Sequence, residues 1–397
     1  MFYEKQPKQQ QEDYKKMLMI IGNLTLLFSE SDCPYLPYRA HENIFCKYLQ
    51  AENLARSDCS ADAKKGKIGV GLKTWMGGDD QKVAEFGKLK PKYASLTGIE
   101  LIREIAKYRN ERIRVTKNLH GIDEMIYHIV KRVPGAMQII EYAFDYIDIE
   151  NISLITNRGN DNNTYFTDGN HIYHFSTSKN TLYMLFEGME VLDSFEVEIM
   201  SDPYAFLMNA IGQGEVHVPP VQVITSTDAK PIDRKNTLCL RLYSVEKGEK
   251  FVPDKSGLNQ WNAGGRKRNP DELYIAYQSK DRKRNPEFFP PRDTPFTLHL
   301  PDGTEISAKV CQEADKKNPL IGKSIMSNPN KVLGKWLLRD VFEVAYGTKI
   351  TYDMLQLFGV DSVVFTKLGE LEYSVDFSPL GTYERYYGED NEENEDE

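Results

Sequence analysis

The chain has few cysteines, and they lie far apart. Its 397 residues include five, with no CxxC pair: Cys33, Cys46, Cys59, Cys239 and Cys311. This spacing argues against a zinc ribbon and against a disulfide framework. It is typical of a protein that works in a reducing cytoplasm.

The chain also lacks an apolar run long enough to cross a membrane. Its most apolar run, Met17–Phe28, is broken by Gly22, Asn23 and Thr25, and no cleavage-site pattern follows it. A membrane helix needs about 20 apolar residues, and a signal peptide needs a small-residue cleavage site. We therefore expect a core helix here, and a soluble, cytoplasmic protein with no membrane partner.

Negative charge is concentrated at one end of the chain. The formal net charge is −9, and residues 384–397, with eight acids and one arginine, contribute −7 of it. The remaining −2 leaves the rest of the chain nearly neutral, so that part can carry basic surfaces. We expect residues 384–397 to be a disordered, solubilising tail. Competition with nucleic acid for a basic groove is the alternative role.

The stretch from Arg39 to Trp75 predicts a helix followed by two short strands. The predicted helix extends to about Leu54, a polar connector leads to Asp62, and an apolar strand ends at Lys73. A magnesium-dependent phosphodiesterase needs a carboxylate to hold the metal and a lysine to position and polarise the attacking water. The alternative is an ordinary helix and hairpin with a solvated aspartate and lysine.

This arrangement resembles the core of the PD-(D/E)XK nucleases, in which an acid is followed by an acid-x-Lys motif. The matching residues are Asp62 and Gly71-Leu72-Lys73, so glycine stands where the second acid is expected. The resemblance implies that the preceding helix supplies that carboxylate, with Glu42 as first choice and Glu52 as the less favoured alternative. Asp58, in the polar connector, is a further candidate. The implied catalytic residues are Glu42, Asp62 and Lys73, with Mg²⁺ held by Glu42 and Asp62.

The rest of the N-terminal half is predicted to mix helices and strands. A strand at 110–117 would place Arg112 and Arg114 on one face, either solvated or against a phosphate backbone. The other predicted elements are helices at 98–108 and 136–146, a strand at 125–133 and a β-meander over 152–199.

The C-terminal half predicts a small barrel of short antiparallel strands. Gly212–Pro231 is typical of a linker, and Asp302-Gly303 predicts a tight turn between two strands. Helices are predicted at 333–344 and 351–358. We therefore divide the chain into the domain with the nuclease-like stretch (1–225), a linker (226–235), a barrel domain (236–383) and the acidic tail (384–397).

Two polar segments of the predicted barrel have the composition of a nucleic-acid surface. Asn259–Asn269 concentrates Arg, Asn and Gln around one Trp and a Gly-Gly pair, and Lys316–Arg339 contains six basic residues and no acid. Arginine pairs well with guanine edges, Asn and Gln pair with adenine, and Lys contacts the backbone. A solvated charged face is the alternative interpretation.

The order of these segments and strands resembles the B3-like DNA-recognition domain of restriction endonucleases, over about 236–380. The more specific blocks are Phe288–Asp293 and Ser327–Val341. The resemblance implies a seven-stranded open pseudobarrel that grips the major groove of double-stranded DNA with two arms, at 259–269 and 327–335. Trp336, Leu337 and Leu338 are expected in the core. The implied DNA-binding residues are Asn259, Gln260, Trp261, Asn262, Arg266, Lys267, Arg268, Asn269, Ser327, Asn328, Asn330, Lys331 and Lys335.

The histidines exclude one nuclease type. Several enzymes with this C-terminal domain carry a phospholipase-D-like nuclease with a His-x-Lys signature, and none of the seven histidines here has lysine two residues later. The hairpin with Asp62 and Lys73 is then the best candidate nuclease centre.

Together, the two resemblances predict a type II restriction endonuclease. The predicted fold class is α+β or α/β: a mixed-sheet PD-(D/E)XK-like domain followed by a B3-like β pseudobarrel. The first domain would hydrolyse both DNA strands with Mg²⁺ and leave 5′-phosphate ends. The enzyme would act as a monomer or a homodimer, with the barrel as the specificity element or an allosteric sensor. The alternatives are a non-catalytic DNA-binding protein, favoured by Gly71, and a nuclease that requires modified bases.

Overall fold

The computed structural model describes residues 1–54, 59–78, 80–160, 162–212, 236–316 and 318–388. The chain divides into two compact units, Met1–Ile113 with Ile122–Ile224, and Arg114–Gly121 with Thr225–Glu397. The predicted linker at 226–235 and the alternative acid Asp58 lie outside the described residues. None of the described helices is long and apolar enough to cross a membrane.

The first unit is built from helices and two sheets. Its helices are α1 (Lys8–Asn23), α2 (Tyr38–Tyr48), α3 (Lys90–Tyr93), α4 (Gly98–His120) and α5 (Pro203–Gly212). Residues 114–120, at the end of α4, belong to the second unit. The strands of the first unit are β1 (Glu52–Asn53), β2 (Ala63–Lys65), β3 (Ile68–Trp75), β4 (Gln81–Glu85), β5 (Glu124–Val133), β6 (Ala136–Ala143), β7 (Ser153–Asn160), β8 (Asn163–Thr167), β9 (Ile172–Ser176), β10 (Thr181–Met184) and β11 (Val191–Glu196).

The larger sheet of this unit is mixed and has the order β1-β2-β3-β5-β6-β11. Strands β3 and β5 are parallel, with α4 in the connection between them, and the other neighbours are antiparallel. Helices α1 and α2 contribute Tyr14, Leu18 and Phe45 to a core that also buries Val70 and Val130 of the sheet. This packing fixes α2 beside the hairpin of β2 and β3.

The smaller sheet is antiparallel and has the order β4-β10-β9-β8-β7. Its four strands from β7 to β10 form the meander predicted for residues 152–199, and β11 leaves it to join the larger sheet. Phe166, Phe175 and Leu182 are fully buried. The period-two pattern therefore predicted this region correctly.

The predicted strand at 110–117 is wrong, because these residues continue α4 as far as His120. Leu101, Ile105 and Ile113 are buried at helical spacing. Once a helix is nucleated upstream, each added residue costs little, so the short alternation does not break it. Arg114 lies on this helix, and its guanidinium donates to the carbonyls of Val341 and Phe342 at 3.3 and 3.1 Å.

The predicted helix at 136–146 is also wrong, since Ala136–Ala143 is strand β6, antiparallel to β5. Gly135 has a φ of +73° in the turn between the two strands. That turn folds the chain back on itself, and the β-branched pair Ile139 and Ile140 is then buried in the sheet. Pairing along β5 outweighs the local helical pattern.

The second unit is a small barrel with short helices. Its strands are β12 (Thr237–Arg241), β13 (Ser244–Glu246), β14 (Glu249–Phe251), β15 (Ile275–Ala276), β16 (Pro295–His299), β17 (Glu305–Glu313), β18 (Gly322–Ser327), β19 (Val360–Gly369) and β20 (Glu372–Pro379). Its helices are α6 (Ser279–Arg284), α7 (Val332–Lys335), α8 (Tyr352–Phe358) and α9 (Thr382–Tyr387), with a π-helical turn at Trp336–Val341 directly after α7.

Seven of these strands form one sheet, in the order β12-β19-β20-β16-β17-β18-β15. The sheet curls until its edge strands approach, and the Arg241 guanidinium donates to the Gln278 amide oxygen at 2.6 Å across the gap. This nearly closed sheet agrees with the predicted seven-stranded pseudobarrel. Trp336, Leu337 and Leu338 are buried, as predicted.

Helix α9 overlaps the start of the predicted tail. Tyr383 and Tyr386 are buried in it. Glu384 accepts a hydrogen bond from the Tyr243 hydroxyl and pairs with Lys250 at 2.5 Å. Glu384 therefore belongs to the folded unit, and residues 389–397 lie outside the described residues.

Candidate functional sites

The hairpin of β2 and β3 positions the first candidate residues, Asp62 and Lys73. The Asp62 amide donates to the carbonyl of Val70 at 2.9 Å, and its Oδ2 accepts from the Leu72 amide at 2.7 Å. These bonds orient the Asp62 carboxylate at the start of β2. Lys73, next to Leu72 in β3, lies with its Nζ 5.9 Å from the centre of the Tyr127 ring.

Glu42 of α2 lies close enough to Asp62 and Lys73 for their charges to act on it. Burial raises the pKa of Glu42 above its usual value, and the charge of Asp62 adds to that effect. Arg39, whose guanidinium lies 2.9 Å from a Glu42 carboxylate oxygen, and Lys73 act in the opposite direction. The structure thus places near one another the three residues for which the sequence predicts a catalytic role.

The glycine at the second acid position has a physical explanation. A Cβ at Gly71 would lie 2.9 Å from ring atoms of both Tyr127 and Phe144. These two rings stack on each other, with centroids 4.1 Å apart. An aspartate at this position would have to displace a buried aromatic pair, so β3 cannot supply a second carboxylate here.

Glu42 and Asp62 are the residues of this group whose side chains could hold a hard cation. Among the described residues, no three His, Cys, Asp or Glu side chains are grouped so that they could hold a metal ion together. Mg²⁺ often takes only one or two carboxylates from the protein and completes its shell with water and substrate phosphate. Glu42 and Asp62 fit that requirement. Glu52 is exposed in β1, where it lies opposite Lys64.

A buried polar network lies next to this group, and the sequence did not predict it. The Tyr14 hydroxyl lies 2.9 Å from Nε2 of His41 and 3.0 Å from Nε2 of His128. The Glu141 carboxylate lies 3.5 Å from Nδ1 of His128 and accepts from the backbone amides at positions 2 and 3. These contacts connect α1, α2, β5 and β6, so they hold the helix that carries Glu42. Its members are far apart in sequence, so no spacing pattern identifies the network.

The first four residues of the N-terminal arm form its base instead of an exposed surface. Asn259 is fully buried. Its amide nitrogen donates to the carbonyls of Pro253 and Ile350, at 3.1 and 2.8 Å, and its oxygen accepts from the Ile350 amide. Gln260 is buried and Trp261 packs against the barrel core. Asn262 donates to the Asp254 carbonyl at 2.9 Å.

The outer part of the arm carries its basic residues. Arg266 and Lys267 are exposed. Arg268 is only 15% exposed, and both arginines pair with the buried Glu272. Asn269 uses its side-chain oxygen to accept from the Asp271 amide. Exposure therefore separates Arg266 and Lys267 from the other predicted residues of this arm.

The C-terminal arm follows β18. Ser327 is buried, and its hydroxyl donates to the Pro329 carbonyl and accepts from the Leu333 amide, both at 2.9 Å. It therefore shapes the turn that leads into α7. Asn328, Lys331 and Lys335 are exposed, and Asn330 is half-buried.

The second unit is thus a nearly closed seven-stranded barrel with two exposed polar arms, which is the architecture of a B3-like DNA-binding domain. Residues 235–369 match the family model of the NgoFVII C-terminal B3-like DNA-binding domain. The match includes both arms and ends with β19, and it confirms the B3-like prediction for this part of the chain. No curated protein matches the chain, and the first unit lies outside the matched segment.

Proposed function

We propose that this protein is a type II restriction endonuclease. Its first unit would hydrolyse both strands of DNA with Mg²⁺, and its B3-like domain would read a short sequence. The proposal is carried by the grouping of Glu42, Asp62 and Lys73, in a chain whose C-terminal part matches a DNA-binding domain of a restriction enzyme. It would cut as a homodimer, or as a monomer that nicks each strand in turn.

Each residue of the group has a role in this reaction. Asp62 and Glu42 would hold Mg²⁺, which when bound supplies positive charge to the scissile phosphate and favours ionisation of water. The Leu72 amide orients the Asp62 carboxylate. Lys73 would orient the attacking water and stabilise negative charge on the phosphate. In-line attack would leave a 5′-phosphate, the outcome implied by the resemblance to the PD-(D/E)XK nucleases.

The arms would share the recognition of DNA unequally. Because Asn259, Arg268 and Ser327 are engaged inside the domain, we assign DNA contact to the exposed side chains. Arg266 would read a guanine edge, and Lys267, Lys331 and Lys335 would contact phosphates, with Asn328 near a base.

A non-catalytic DNA-binding protein is the second candidate, and one observation favours it. A nuclease strand with its own second acid cannot form at Gly71, because the Tyr127 and Phe144 rings fill that space. In this reading the first unit is a scaffold, and the barrel alone carries the function. A nuclease that cuts only DNA with modified bases is a variant of the first proposal.

The deciding experiment incubates the purified protein with unmethylated phage DNA, once with Mg²⁺ and once with EDTA. Discrete bands that appear only with Mg²⁺ are expected, and sequencing their ends gives the site. Binding in a gel shift without cleavage, on unmodified DNA and on DNA with modified bases, favours the binding protein. Cleavage that persists in EDTA contradicts the metal-dependent centre.

A further inference from the structure

The residues that follow the N-terminal arm contact the segment at the end of the C-terminal arm. The Arg339 guanidinium donates to the Asp271 carboxylate at 2.7 Å and to the Pro270 carbonyl at 3.0 Å. At Gly334 in α7, a Cβ would lie only 1.8 Å from the Asp271 carbonyl oxygen. The backbone that follows the N-terminal arm therefore packs directly on the helix that ends the C-terminal arm.

The tip of the N-terminal arm contains two glycines that have open space around them. They are Gly264 and Gly265, and Gly265 has a φ of +92°. Within the described chain, no heavy atom beyond the neighbouring residues lies within 4 Å of where a Cβ would stand at either glycine. Two flexible residues without packing cannot by themselves fix the basic side chains that follow them.

The buried carboxylate of Glu272 holds two of the basic side chains that follow the two glycines. The Glu272 side chain is 1% exposed, and its Oε1 accepts from Arg266 at 2.6 Å and from Arg268 at 2.5 Å. Arg268 also donates from Nε to the Ala263 carbonyl at 3.0 Å. Arg268 thus connects the residue before the two glycines to Glu272 and closes the loop. A buried charge is costly unless it is paired, so this arrangement resists opening.

We propose that Glu272 is a positioning residue for DNA recognition. It holds the guanidinium of Arg266, 54% exposed, in one orientation at the edge of the arm, and it commits Arg268 to the loop instead of to DNA. It also offsets part of the charge of the arm, which weakens attraction to any phosphate backbone relative to base reading. This inference rests on the proposed reading of sequence by the arms.

The test compares Glu272→Gln with Glu370→Gln in the full-length protein. Both changes remove one negative charge from the second unit, and Glu370 is exposed in the turn between β19 and β20. The wild type first selects its preferred sequence from a random duplex pool. Competition binding then gives the ratio of specific to non-specific affinity for each protein.

We expect E272Q to lower that ratio about tenfold, since a misplaced arginine forfeits much of one base contact. The non-specific affinity of E272Q should rise. That of E370Q should also rise, but by less. Equal ratios in E272Q and E370Q would overturn the inference. A wild type that enriches no sequence contradicts the proposed function itself, and this inference with it.

A second variant keeps the test informative if E272Q unfolds. Arg266→Lys retains the charge but loses the forked geometry that pairs with guanine. Because Glu272 keeps its bond to Arg268, the loop should remain closed and the thermal transition should stay near that of the wild type. We expect R266K to lower the ratio of specific to non-specific affinity as E272Q does. An unchanged ratio contradicts the assignment of Arg266 to a base contact.

Discussion

The two candidate sites of this protein are built in opposite ways. The group in the first unit takes its side chains from a helix, a strand and the residue just before another strand, and the Tyr127 ring lies 5.9 Å from the Lys73 Nζ. The arms of the second unit are short segments outside a closely packed barrel core, the C-terminal one ending in α7, and both carry exposed polar side chains. The first arrangement fixes the positions of the side chains through tertiary packing. The second permits the sequence to vary in segments outside the core.

This difference explains why the two sites leave sequence patterns of different strength. The anchors of the arms lie within the barrel itself, as where the Trp336 indole donates to Asp302 at 2.7 Å. Such anchors leave a sequence pattern that a family model can match, and 235–369 does match. A catalytic group set by contacts between remote residues leaves a weaker pattern. The comparison predicts that changes in the first site strongly reduce DNA cleavage, while changes in the arms reduce DNA affinity by smaller amounts.

The largest expected effect is at Asp62. Asp62→Asn keeps the hydrogen bond to the Leu72 amide but removes the charge that would hold Mg²⁺. We expect cleavage to fall about a hundredfold or more, a loss typical of removing one essential electrostatic group. The rate of plasmid cleavage measures this, with DNA binding in a gel shift unchanged. Glu124→Gln, at an exposed acid of the same unit, is the matched control. If D62N cuts as fast as this control, the proposed centre is wrong.

The second-largest effect is expected on the stability of the second unit, from a change at Asn259. Asn259→Ala removes the two hydrogen bonds that its amide donates and the one that its oxygen accepts, and leaves the buried Ile350 amide without a partner. We expect a loss of about 2–4 kcal/mol in the free energy of unfolding. Denaturant titration of the second unit measures it. Asn262→Ala, at a more exposed position, should cost less than about 1 kcal/mol. Equal losses in both variants contradict the structural role of Asn259.

Asn259 also shows that tertiary packing, and not residue type alone, decides which polar side chains are exposed. Composition predicted correctly that 259–269 is a polar segment beside a strand, but it could not separate buried from exposed side chains. The burial of Asn259 depends on Ile350, which is 91 residues away. The same limit applies to Ser327, whose hydroxyl caps the turn before α7. Residue type predicts what a side chain can bind, and packing decides what it does bind.

The first unit gives a similar result for secondary structure. The hairpin with Asp62 and Lys73 was predicted well because its short strands and turn are local features. Residues 110–117 and 136–146 were misassigned because their state depends on a helix already begun upstream and on a partner strand. Gly71 was recognised as a departure from the pattern, but its cause, the stacked rings of Tyr127 and Phe144, is visible only in the folded unit.

A moderate effect is expected from the buried network beside the catalytic group. Tyr14→Phe removes the hydroxyl that lies between His41 and His128 and leaves two buried imidazoles without that partner. The first unit should lose about 1–3 kcal/mol of stability. Hydrogen exchange of the β5 amides measures this, and the exchange of β19 amides in the second unit serves as the internal reference. Unchanged β5 protection would show that the network does not stabilise the unit.

The smallest effect is expected at Lys335, the last residue of the C-terminal arm. Lys335 is exposed at the end of α7, so Lys335→Ala should remove one phosphate contact without disturbing the barrel. Each phosphate contact changes the slope of log affinity against log salt by about one. We therefore expect roughly tenfold weaker binding at low salt for all sequences alike, with the ratio of specific to non-specific affinity unchanged. Lys323→Ala, at an exposed lysine of β18 outside the arm, is the control. A change in the ratio for K335A would place this lysine at a base, and the assignment of backbone contact to the C-terminal arm would then fail.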